Sequence, residues 1–108
     1  MYRVTTPTHT FTLPINTSNC AEVQVTYKQN ATSLVFHYQD GTLPDGMTFD
    51  GKKVIVRLTQ EQTKAFNPKI QTLTQVRVLT NGGDAYASQI FSITVNDVLN
   101  EEVLTDGN

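Results

Sequence analysis

His9, His37 and Cys20 are the residues of this 108-residue chain best suited to proton transfer or covalent chemistry. A thiol nucleophile needs a base within reach, and catalysis in general needs several groups of tuned proton affinity to converge. Each histidine lies in an alternating stretch, with no second histidine at metal-ligand spacing. Both therefore read as structural residues. Cys20 sits between Asn19 and Ala21 without a flanking signature, and reads as a small buried side chain. A single cysteine can form neither an intrachain disulfide nor a thiolate metal site. Asp40, Asp45 and Asp50 recur every five residues, each followed by glycine. A calcium loop needs denser oxygen ligands, whereas turn chemistry accounts for Asp-Gly pairs fully. The tetrad Asn81-Gly82-Gly83-Asp84 lacks the lysine and the following helix of a phosphate-binding loop. No catalytic, metal-binding or cofactor-binding set is expected.

The elements that carry these residues are strands. "VRVLTNGGDAYASQIFSITV", Val76 to Val95, is two alternating runs around the glycine-rich tetrad, which is a hairpin pattern. Thr8 to Leu13 alternates between Pro7 and Pro14, which suits an edge strand. Glu22 to Gln29 puts Val23, Val25 and Tyr27 on one face; Thr32 to Gln39 puts Leu34, Phe36 and Tyr38 inward. A turn region spans Asp40 to Gly46. Met47 to Phe49 suggests a short strand, and Val54, Val56 and Leu58 share a face of the next. Thr59 and Gln62 have capping-box spacing, and Pro68 closes a short helical segment near 59–66, with Ala65 and Phe66 expected on the sheet. A long strand pair follows, with Phe91, Ile93 and Val95 expected in the core and Ile90 opposite. About six or seven short strands without long helices predict an all-β, antiparallel sandwich or small barrel. Residues 1–97 form this domain, and 98–108 an acidic tail without assigned structure.

Composition narrows the partners. Net charge is −2, with lysine and arginine dispersed, which argues against a nucleic-acid surface. No apolar run approaches membrane-span length. The first residues lack the apolar core of a signal peptide, so synthesis and folding in a cytoplasm are expected. The Asn16-Thr17-Ser18 and Asn30-Ala31-Thr32 acceptor patterns are then expected to stay unmodified. Tyr2, Tyr27, Tyr38 and Tyr86 offer contact area with polar tips; packing within strands is the plainer reading of them.

The segments "TTPTHTFTLP", "EVQVTYKQN", "VIVRLTQEQTKAFNP" and "QVRVLTNGGDAYASQIFSITVNDVLNEEV" together resemble small proteins encoded in phages and prophages of Firmicutes and other gut bacteria. The organisation is similar to the immunoglobulin-like N-terminal module of phage baseplate upper proteins. There too a Thr-rich strand precedes a helical turn of the "LTxEET" type and a closing hairpin. Here "LTQEQT" places Gln62 where that pattern has an acid, and no fibre-forming region follows the hairpin. The resemblance implies an immunoglobulin-like β-sandwich of about seven strands. It also implies a non-enzymatic virion structural protein: a capsid decoration, neck or tail component. The expected partners are other virion proteins, in a homo-oligomer or symmetric array. The edge strand, through Phe11 and Leu13, and the tail, through Val98, Leu99, Val103 and Leu104, are the expected contact residues. The alternative is a host-surface or carbohydrate-binding module of the particle; the lack of tryptophan weakens that reading.

Overall fold

The computed structural model describes residues 1–105. The strands are β1 (Thr8–Thr12), β2 (Cys20–Gln29), β3 (Thr32–Tyr38), β4 (Met47–Asp50), β5 (Lys53–Arg57), β6 (Thr72–Thr80), β7 (Ala85–Ala87) and β8 (Phe91–Ile93). One short helix, α1 (Gln60–Lys64), and a 3-10 turn at Thr17–Asn19 complete the set. The strands form two antiparallel sheets, β1-β5-β4 and β3-β2-β6-β7, with β8 also paired to β6. The chain is an all-β sandwich of the immunoglobulin-like type. In immunoglobulin constant domains the second strand sits in the sheet of the first. Here β2 pairs with β3 and β6 instead, so the smaller sheet keeps three strands.

Alternation builds the core. Val23, Val25 and Tyr27 of β2 are wholly buried, as are Val54 and Val56 of β5. Phe36, Met47, Leu58, Val76 and Val95 fill the space between. Tyr27 meets Phe36 edge-on at 6.2 Å, and Tyr38 meets Phe49 at 4.9 Å. The first pair joins β2 to β3 within the larger sheet, and the second ties β3 to β4 of the smaller one. Leu34 and Tyr38 are half-buried at the rim of this core.

The turns follow their residues. Asn81 to Asp84 reverses the chain between β6 and β7: the Gly83 N–H donates to Thr80 O at 3.0 Å, and Gly83 has φ +92°. α1 starts on a complete capping box: Thr59 Oγ1 accepts from Gln62 N at 3.1 Å, and Gln62 Oε1 accepts from Thr59 N at 2.8 Å.

Three sequence expectations are corrected. The final strand is not continuous: β7 and β8 pair separately with β6, and Ser88 to Ile90 interrupt them. Ser88 bridges the break, its N–H donating to Val76 O and its hydroxyl accepting from Val76 N. Phe91 is exposed, although it faces inward. Ala65 is exposed too; α1 is so short that only Thr63 within it and Phe66 beyond it reach the core.

Candidate functional site

The outer face of the larger sheet gathers the polar side chains of three strands. Cross-strand register sets Gln24 of β2 between His37 of β3 and Arg77 of β6. His37 Nε2 lies 2.7 Å from Glu22 Oε1, with both side chains partly exposed. With Tyr86 they line a shallow recess of about 240 Å³. No serine, threonine or cysteine lines it. Its hydrogen-bonding side chains are those of Glu22, Gln24, His37, Arg77 and Tyr86, which suit contact with a polar surface.

His9 points the other way, between the sheets. Its Nδ1 lies 2.8 Å from the Tyr27 hydroxyl, and the rings stand 5.6 Å apart. Burial pushes the His9 pKa below its usual value and the Tyr27 pKa above its own. Both stay neutral near pH 7, so the pair is a hydrogen bond within the core. Cys20 is buried, and burial raises its thiol pKa. Its one hydrogen bond goes to Asn16 O at 3.8 Å. Asp40, Asp45 and Asp50 are exposed. Among the described residues no group of three or more His, Cys, Asp or Glu is placed to hold a metal ion.

A second, larger concavity opens where the two sheets part. It holds about 460 Å³ between β1 on one side and Thr74, Val76, Ser88, Phe91 and Ile93 on the other. Its walls are mainly apolar, and His9 is its only titratable residue. Phe11 is half-buried on the β1 side of this groove. Leu13, expected as a contact residue, is only 7% exposed and belongs to the core.

The tail folds back along the N-terminal segment. Tyr2 and Asn96 form a parallel bridge: Arg3 N donates to Asn96 O at 2.9 Å, and Asn96 N to Met1 O at 2.7 Å. The Arg3 guanidinium donates to Asp97 at 2.9 Å, to Glu101, and to Lys64 O at 2.8 Å. It holds the Asp97 carboxyl below the usual carboxylate range, after the larger effect of the Val98 N–H on the same oxygen. The Gln60 amide grips Leu104 twice, donating to its carbonyl and accepting from its N–H, each at 2.8 Å. Val98 and Val103 are half-buried, whereas Leu99 and Leu104 stand exposed. The last part of the expected tail, residues 106–108, lies outside the described residues.

Sequence reading passed over Arg3, Gln60 and Gln29. Gln29 had a signal: it continues the inward period of Val23, Val25 and Tyr27. The other two had none, because their partners lie far along the chain.

No protein-family model matches this chain, and neither a curated protein nor a solved structure matches it.

Proposed function

We propose that this chain is a non-enzymatic structural protein of a bacteriophage particle. It is made in the host cytoplasm and incorporated at the capsid, neck or tail through protein–protein contacts. The observation that carries the contact role is the apolar surface left at one side of the sandwich. There Phe91, 41% exposed, lies with Phe11 and Ile93 in the groove beside the uncovered edge strand β1. Exposed apolar groups gathered at one place favour protein contact. Leu99 and Leu104 add further exposed apolar area on the tail. The phage setting rests on the sequence resemblance described above. Quantitative mass spectrometry of purified particles tests the reading. A fixed ratio of this chain to the major particle protein supports it, and absence from clean particles removes it.

A second reading is a carbohydrate- or host-surface-binding module. It draws on the recess lined by Glu22, Gln24, His37, Arg77 and Tyr86, the last of them 57% exposed. A glycan array separates the two: binding lost on Tyr86→Ala favours this second reading.

A further inference from the structure

The exposure of β7 and β8 conflicts with the direction their side chains point. Thr72 and Thr74 of β6 face the core, at 0% and 2% exposure. Their cross-strand partners Ile93 and Phe91 share that face, and Tyr86 shares the inner face of Val78. Yet Phe91 and Tyr86 are open to solvent. Strand count explains this. The larger sheet is four strands wide, since β7 and β8 lie in line beside β6, whereas the smaller has three. β4 covers β3 through Phe49 and Tyr38, and β1 reaches β2 through His9 and Tyr27. The strip beneath no strand is therefore β7–β8, next to β1.

The exposed edge of β1 is the second, independent observation. Leu13 N donates to Lys52 O, and Leu58 N donates to Pro7 O, so the odd-numbered residues bond toward β5. Antiparallel alternation then turns the N–H and C=O groups of Thr8, Thr10 and Thr12 outward. Among the described residues β1 pairs with β5 alone, and no loop bonds these outward groups. β1 carries no lysine or other charge that would block pairing. In the floor of the adjoining groove the Thr74 hydroxyl is buried and has no hydrogen-bond partner.

We infer that this groove accepts one extended segment of another polypeptide, which adds beside β1 as the fourth strand of the smaller sheet. Main-chain bonds to Thr8, Thr10 and Thr12 would supply affinity, and alternate side chains the specificity. The groove wall fixes the chemistry of that segment. It is uncharged, with apolar residues at alternate positions over Phe91 and Ile93. It carries a serine, threonine or asparagine opposite Thr74. The β1 strand of a second copy does not meet the requirement. Two copies paired edge to edge would set two four-strand sheets beneath six strands, forcing β8 against its counterpart.

The proposal rests on the protein-contact reading only for where the donor is met. The test uses the purified chain and a displayed library of random heptapeptides, with the bound site mapped by amide hydrogen exchange. Selected peptides should alternate apolar residues, lack charge, and slow exchange at Thr8, Thr10 and Thr12. Thr10→Pro removes only an outward N–H, and should weaken binding at least about tenfold. Phe91→Lys alters an exposed side chain, keeps the fold and should do the same. A library without binders, or binders that protect another surface, overturns the proposal. Edge protection by peptides, combined with absence of the chain from particles, would leave the strand site standing and remove the phage reading.

Discussion

Gln29 and Asn67 exchange two hydrogen bonds across the end of the sandwich. Gln29 Oε1 accepts from the Asn67 N–H at 2.8 Å, and Gln29 Nε2 donates to Asn67 O at 2.9 Å. The same amide donates to Ile70 O at 2.8 Å and Thr72 Oγ1 at 3.1 Å. One buried side chain thus holds the loop that leads from α1 into β6. Gln29→Ala leaves several of these groups without partners, at a cost of about 2–3 kcal/mol. Urea unfolding should show the loss. A midpoint unchanged from the parent would mean that water replaces the amide fully.

Acid should destabilise the fold through His9. Burial lowers its folded-state pKa, so the unfolded chain binds the proton more readily. Stability is then complete above the ordinary histidine pKa of about 6.5 and declines as pH falls toward the lowered value. His9→Gln, which stays neutral, should flatten this slope between about pH 7.5 and pH 5. Matching slopes in parent and variant would assign the acid sensitivity to other groups.

The tail should come loose on Arg3→Ala. That change removes the partner of Asp97, Glu101 and the Lys64 carbonyl together. Amides from Asp97 to Leu104 should exchange faster, while those of β2 and β6 keep their protection. Gln60→Ala should free only the distal part, at Leu104. Exchange unchanged in both variants would show that Val98 and Val103 hold the tail by packing alone. Such a result would also bear on particle assembly: if the tail is the dock, truncation after Asp97 lowers incorporation while the sandwich still folds.

Gly46 should not tolerate a side chain. Its φ is +88°, and a Cβ there would lie 2.7 Å from Arg57 O and 3.2 Å from the Phe36 ring. The carbonyl belongs to β5 backbone, and Arg57 N already donates to Gly46 O at 2.8 Å. Gly46→Ala combines backbone strain with this clash and should cost about 2 kcal/mol or more. Gly51→Ala is the comparison: its φ is also positive, but nothing lies within 4 Å of the added atom. It should cost about 1 kcal/mol, from conformation alone. Equal thermal shifts for the two would refute the role of close approach.

Much of the sandwich was legible because strand periodicity is a local property. Val23, Val25 and Tyr27, and likewise Val54, Val56 and Leu58, are buried as their spacing implies. Thr59 and Gln62 announced the helix start through chemistry that spans only one turn. Phe91 shows where local reading ends. Its alternation gives its direction correctly, but burial also requires a strand opposite, and sheet width is set by long-range pairing. Ala65 fails for a related reason: α1 ends before a full apolar face can form. The grip of Arg3 on the tail joins residues at opposite ends of the sequence, which no spacing rule reaches.

Cys20, shielded between the sheets with a thiol that resists ionisation, has a practical consequence. Maleimide reagents attack thiolates, so the native chain should stay nearly inert to them. A second cysteine engineered at Thr48, on the solvent side of β4, would then take a single fluorophore cleanly. The protein offers a ready background for distance measurements by energy transfer, with no need to remove its own sulfur first.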